Sequence, residues 1–124
     1  MKPPKILIVE DEVLFAMDLG QILEIQGYVL CETAVRGKEA VEIAERDKPT
    51  LVLMDINLKG EMNGIDAARE IRSRFGIPVI FMTGYSDENT KKAAMVAKPA
   101  GYVTKPFDID ALLALIDSIS TAPP

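Results

Sequence analysis

Lys5-Ile6-Leu7-Ile8-Val9-Glu10-Asp11-Glu12 is the stretch on which the fold turns. Four consecutive apolar residues are too few for a buried helix, and three acids end the run, so Lys5–Val9 is predicted to be a strand covered on both faces. Outward from it, Val13–Gln26 has helical periodicity, with Gly27 where a helix C-terminal glycine belongs. The same alternation then recurs. Tyr28–Thr33 reads as a second strand, and Gly37–Arg46 as a helix stopped by Asp47-Lys48-Pro49. Leu51–Met54 is a third buried strand, followed by a loop carrying Gly60 and Gly64. Ile65–Phe75 is a helix that Gly76 and Pro78 stop. Val79–Met82 is a fourth strand, and Asn89–Ala97 a helix closed by Pro99. Gly101–Thr104 is the fifth strand. Asp108 or its neighbour caps a last helix with Ile109, Leu112, Leu113 and Ile116 on one stripe.

Five strands, each followed by a helix, imply an α/β domain: a five-stranded parallel, doubly wound sheet with helices on both faces. Right-handed crossovers and this length favour such a fold, and the strand order expected is 2-1-3-4-5. One domain accounts for residues 1–124, with a core over about 5–120 and 121–124 as a tail or the start of a linker.

Composition excludes whole classes of chemistry. The 124 residues are 48% hydrophobic and 27% charged, a globular balance with no apolar run near the length of a bilayer span. The N-terminus is too short in apolar residues for a secretory signal, and the single cysteine, Cys31, allows no internal disulfide; both fit a reducing cytoplasm. Fourteen basic against nineteen acidic residues give a formal net charge of −5, which argues against a nucleic-acid-binding surface. There is no histidine. Histidine acid–base catalysis, Ser/Cys–His nucleophilic pairs and histidine-ligated zinc are therefore excluded.

Sites in open α/β sheets form beyond the carboxyl ends of the strands. Strand one delivers Glu10 and Asp11 there, strand three Asp55, strand four Thr83 and Gly84, and strand five Lys105 and Pro106. With strands one and three as central neighbours, Asp11 and Asp55 meet, Thr83 lies beside them and Lys105 reaches in. Clustered carboxylates in a partly desolvated cleft repel, and either a shared proton or a hard divalent cation relieves them. Carboxylate oxygens with a backbone carbonyl and waters suit Mg²⁺, with Mn²⁺ as its substitute. One carboxylate is then available as a nucleophile, as in chemistry that forms an aspartyl-phosphate. Lys105 and Thr83 would complete a set for phosphoryl oxygens.

Val9-Glu10-Asp11-Glu12, Leu53-Met54-Asp55-Ile56, Met82-Thr83-Gly84 and Tyr102-Val103-Thr104-Lys105-Pro106-Phe107 together resemble the ordered motif set of response-regulator receiver domains, over essentially all of residues 5–120. The resemblance implies a CheY-like, flavodoxin-type (βα)5 fold in which Asp55 is the phosphoacceptor. It implies that Glu10 and Asp11 bind Mg²⁺ with Asp55 and the Asn57 carbonyl, that Thr83 and Lys105 contact the phosphoryl group, and that Tyr102 is the aromatic switch. It also implies a cis Lys105–Pro106 peptide, and a signalling face formed by helix four, strand five and helix five that is remodelled on phosphorylation.

Taken singly, each motif has a plainer reading. Glu10–Glu12 suits a solvated turn or a helix start, Asp55 a turn, Thr83 a cap, Lys105 a surface charge and Tyr102 packing. Their conjunction at one sheet edge favours function. Three departures from the family pattern stand out. The loop Asn57–Gly64 lacks the usual proline and is about one residue longer, Gly84 stands where alanine is common, and Ala97-Lys98-Pro99-Ala100-Gly101 implies a short fourth helix.

On helix one, a 100° step puts Phe15, Leu19, Ile22 and Leu23 on the core stripe, leaving Leu14 and Met17 opposite and Val13 on the flank. By resemblance, Leu14 and Met17, with Phe107 nearby, are expected to dock a histidine kinase or histidine phosphotransfer protein. The expected function is a cytoplasmic, single-domain phosphoacceptor without turnover of free substrates. It would signal to a downstream protein as a monomer or as a weak dimer through the helix 4–strand 5–helix 5 face, with no membrane or nucleic-acid partner. Alternatives are a receiver excised from a hybrid kinase, a phosphate sink, a receiver that signals without phosphorylation, and a haloacid-dehalogenase-type phosphatase. The last is disfavoured because Asn57 stands where that family needs a second acid.

Overall fold

The computed structural model describes residues 3–84 and 88–120, so the expected tail over 121–124 lies outside the described residues. Ten elements alternate: β1 (Lys5–Val9), α1 (Val13–Ile25), β2 (Val29–Leu30), α2 (Gly37–Asp47), β3 (Leu51–Asp55), α3 (Gly64–Phe75), β4 (Val79–Thr83), α4 (Glu88–Val96), β5 (Gly101–Thr104) and α5 (Ile109–Ser120). All strand pairs are parallel, as the alternation requires, and the order is the expected β2-β1-β3-β4-β5.

The period-two geometry of the strands divides the core into two layers. Leu7, Val9, Val52, Met54, Val79 and Phe81 pack with Ala40, Ala44, Ala67, Ile71 and Ala94, from α2, α3 and α4, on one face. Ile6, Ile8, Leu51, Leu53, Ile80 and Met82 pack with Leu19, Leu23, Leu112 and Ile116, from α1 and α5, on the other. Both faces of the central strands are therefore apolar, which is why β1, β3 and β4 show no alternation in sequence.

Local chemistry sets the boundaries. Asn63 caps α3, its Oδ1 accepting the Asp66 N–H at 2.9 Å, and Gly76 ends that helix at φ 67°. Asp108 accepts the Asp110 N–H at 2.9 Å, as its expected capping role requires. α4 is nine residues long, in line with the short helix expected, and Lys105–Pro106 is cis.

Two expectations need correction. The second strand is not Tyr28–Thr33: only Val29 and Leu30 pair regularly with β1. Beyond them the chain still runs beside β1, with Cys31 N–H donating to Ile6 O and Ala34 N–H to Ile8 O, both at 3.0 Å, but as an edge segment without a continuous ladder. The buried stripe of α1 is also rotated. It is formed by Ala16, Leu19, Gly20 and Leu23, with Phe15 and Ile22 only partly covered. A Cβ on Gly20 would stand 3.1 Å from Leu30 Cδ1, so the helix lies close to the sheet through its small residues.

Candidate functional site

Strand ends bring the polar residues together. Asp55 is the last residue of β3 and is paired in register with Met82 of β4; Thr83 ends β4 opposite Thr104 of β5. Each strand runs one residue further than its apolar run suggests, so the acceptor candidate and the hydroxyl are fixed by sheet pairing and not by loops. Glu10, just past β1, is held by its N–H donating to Ala34 O at 2.9 Å. Glu10, Asp55 and Thr83 are the buried polar or charged residues among those described.

Glu10, Asp11 and Asp55 each present a carboxylate oxygen within 4.8 Å of the others. Mg²⁺ takes ligands at about 2.0–2.1 Å, so ligands on opposite sides of the ion lie about 4.2 Å apart. Of three ligands only one pair can be opposite and the others lie about 3 Å apart, so the three carboxylates could share one ion by closing in or through bridging waters. Lys105 forms a close ion pair with Glu10 Oε1, and its Nζ lies 3.9 Å from Asp55 Oδ2. Three carboxylates against one ammonium leave two negative charges, the complement of a divalent cation.

The two buried acids differ in their partners. Glu10 Oε2 accepts the Glu12 N–H at 3.1 Å, while Asp55 Oδ1 accepts the Asn57 N–H at 3.2 Å. Burial pushes the Glu10 carboxyl above the ordinary carboxylate range; the bonds from Lys105 and the Glu12 N–H oppose this, and the charge of Asp55 adds to it. Lys105 Nζ also stands 4.3 Å above the Phe15 ring, a cation–π contact that fixes the aliphatic reach of the side chain. A cavity of about 390 Å³ opens over this cluster, lined by Asp11, Glu12, Asp55, Asn57, Lys59, Gly84 and Lys105. Among the described residues nothing stands within 4 Å of where a Gly84 Cβ would be.

The other expected site residues lie around this centre. Tyr102 on β5, paired with Phe81, is half-buried against the α2–α3–α4 layer. Phe107 is half-buried and meets Phe15 edge-on, with ring centroids 5.9 Å apart at 86°. Leu14 is 78% exposed and Met17 55%, on the outward side of α1.

Two structural residues went unrecognised in the sequence. A Cβ on Gly64 would stand 2.0 Å from the Asp55 carbonyl oxygen, so only glycine lets α3 begin against the residue that ends β3. A Cβ on Gly37 would stand 2.7 Å from Met62 O, so glycine also lets α2 begin against the β3–α3 loop. The available signal was a glycine at the first position of each helix, where it has no capping purpose.

With this geometry in place, likeness to known proteins is informative. Residues 6–117 match the family model of the response regulator receiver domain. The transcriptional regulatory protein PdtaR of Mycobacterium tuberculosis is 41% identical over 115 residues, covering 93% of this chain and 56% of that protein. The aerobic respiration control protein ArcA of Escherichia coli is 40% identical over 108 residues, covering 87% and 44%. The chain thus spans about half the length of these curated relatives. Among solved structures, the signal receiver domain of a modulated diguanylate cyclase from Desulfovibrio desulfuricans superposes with a TM-score of 0.90 at 34% identity, covering 96% of this chain and 94% of that one. A CheY-like receiver domain protein from Methanospirillum hungatei gives 0.88 at 29% identity, covering 96% and 94%.

Proposed function

Because the chain belongs to the response-regulator receiver family of two-component signalling, we propose that Asp55 accepts a phosphoryl group from a phosphohistidine on a histidine kinase or phosphotransfer protein. The observation that carries this reading is the convergence of Glu10, Asp11 and Asp55 on one point, with Lys105 beside them. An Asp55 carboxylate oxygen attacks phosphorus as the bond from phosphorus to the donor imidazole nitrogen breaks, and that bond's electron pair returns to the imidazole. Such transfer is a matter of position and charge, which a rigid strand end can supply.

The chain's own groups divide the work. The Asn57 N–H holds one Asp55 oxygen and leaves the other, Oδ2, directed towards Lys105. Lys105 takes one phosphoryl oxygen and Thr83 another. Glu10, Asp11, Asp55 and the Asn57 carbonyl would hold Mg²⁺ or Mn²⁺. The ion, when bound, neutralises the acids and the charge that develops on the phosphoryl oxygens. Loading Asp55 draws Thr83 towards the phosphoryl group, Tyr102 turns into the space released, and the face of α4, β5 and α5 changes its packing. That face meets the downstream protein or a second copy of the chain.

No turnover of free phosphoesters is expected, and the setting proposed is the cytoplasm. Among the described residues no helix is long and apolar enough to cross a membrane. The exposed Leu14 and Met17, on the helix that follows the acidic cluster, support docking of the donor through α1. Intact-mass measurement after incubation with a small phosphodonor tests the reading. One phosphoryl group should be gained with Mg²⁺, and none with EDTA or in Asp55→Asn; equal uptake by Asp55→Asn would refute Asp55 as the acceptor.

A further inference from the structure

Lys59 stands apart from the other cations around the acceptor. It lines the 390 Å³ cavity over Asp55 and also a neighbouring cavity of about 560 Å³ beside the start of α2. Among the described residues it forms no ion pair, whereas Lys105, the other lysine of the acceptor cavity, is committed to Glu10. Gly60 follows it at φ 102°, a left-handed turn that lets the loop cross the mouth of the site. The Arg36 guanidinium packs on that turn, with Nη1 3.1 Å from where a Gly60 Cβ would stand. Arg36 and Lys38 line the second cavity with Lys59, so three cations gather on one side of the opening; Glu61 and Asp66 share that cavity with them.

The far wall of the acceptor cavity is acidic, with Asp11, Glu12 and Asp55. A phosphoryl group brings negative charge towards these carboxylates, and a divalent ion balancing Glu10, Asp11 and Asp55 against Lys105 would leave the charge of Glu12 uncompensated. An exposed ammonium at the rim, with no ion pair among the described residues, offsets the remaining repulsion along the approach. We propose that Lys59 is an electrostatic capture residue for the incoming phosphoryl dianion, acting on encounter and ground-state binding before Lys105 and Thr83 take over at Asp55. The inference rests on the phosphoacceptor reading above, and its test separates the two.

Wild type, Lys59→Gln and Lys59→Arg would each be studied with Mg²⁺ by two measurements. One follows the amide chemical shifts of Asn57 and Gly84 as inorganic phosphate is titrated. The other follows the second-order rate of phosphoryl uptake from phosphoramidate by intact mass. In low salt, Lys59→Gln should bind phosphate about sevenfold more weakly and take up phosphoryl about sevenfold more slowly, as one unit charge acting on a dianion at a distance of about 7 Å in water implies. Lys59→Arg should behave as wild type, and the difference should close at about 0.3 M salt. If Lys59→Gln matches wild type in low salt, or if phosphate moves neither amide in wild type, the role of Lys59 is overturned. Should wild type bind phosphate, and Lys59→Gln weaken that binding, without any phosphoryl group reaching Asp55, then the acceptor reading fails while Lys59 stands.

Discussion

The ammonium of Lys105 is paired with Glu10 and lies 3.9 Å from Asp55 Oδ2. Glu10 is fully buried and Lys105 is partly buried, which makes the pair more than a surface ion contact. The pairing places the lysine next to the acceptor. A divalent ion held by the Glu10 carboxylate would compete with Lys105 for the same oxygens, so one carboxylate would link the two.

The raised pKa of Glu10 gives this coupling a pH signature. The folded chain holds the Glu10 proton more tightly than the unfolded chain does. Stability in EDTA therefore falls as pH rises from about 4.5 through the folded pKa, and the loss is complete above it. Glu10→Gln removes that contribution. The difference in melting temperature between Glu10→Gln and wild type should grow in favour of the variant from pH 4 to pH 7, and excess Mg²⁺ should reduce it by stabilising wild type more than the variant. A pH-independent difference would contradict the assignment.

Gly64 ties the acceptor to α3. Because a Cβ there would stand 2.0 Å from the Asp55 carbonyl oxygen and 2.8 Å from Ile56 Cα, both backbone atoms, Gly64→Ala must displace the end of β3. A loss of about 3 kcal/mol in urea denaturation is expected, at the upper end for overpacking. Gly84→Ala meets no atom of the described residues within 4 Å and should change stability by less than about 0.5 kcal/mol.

How far the sequence reveals this molecule depends on which signal each element carries. β1, β3 and β4 are legible because strands buried on both faces are continuous apolar runs. β2 is not, because an edge segment needs only one hydrogen-bonding side and Glu32 and Thr33 are free to face solvent. The face of α1 is misjudged by one position because Ala16 and Gly20 make the closest approach to the sheet, and small residues carry little weight in an apolar pattern. The site residues are legible as polar exits from apolar runs. What is not legible is pairing: nothing in the spacing shows that Lys105 prefers Glu10 to Asp55, since both acids are buried at adjacent strand ends. The roles of Gly37 and Gly64 were equally hidden, because a close approach exists only once the loop has folded over the helix starts.

Cys31 is half-covered, and burial pushes its thiol above the usual range, with the charge of Asp47 adding to the shift. The thiolate is the reactive form. Alkylation of the native chain by iodoacetamide at pH 7.5 should therefore be several-fold slower than that of the urea-unfolded chain. Equal rates would show that the thiol is ordinary.

The outward residues of α1 allow docking to be separated from chemistry. Leu14 and Met17 make no part of the acceptor cavity and are exposed, so the double variant Leu14→Glu/Met17→Glu should fold with a change in stability within about 1 kcal/mol. Its uptake of phosphoryl groups from phosphoramidate should equal that of wild type, because a small donor meets only the cavity. Transfer from a phosphorylated histidine kinase that serves as donor to wild type should fall tenfold or more, since two charges would enter an apolar contact and leave water without partners. The loss should appear as weaker binding of the donor and not as a slower step once it is bound. If both donors slow equally, the helix acts on the site itself. If neither slows, the kinase uses another surface, and the exposed apolar side chains of α1 have no part in its recognition.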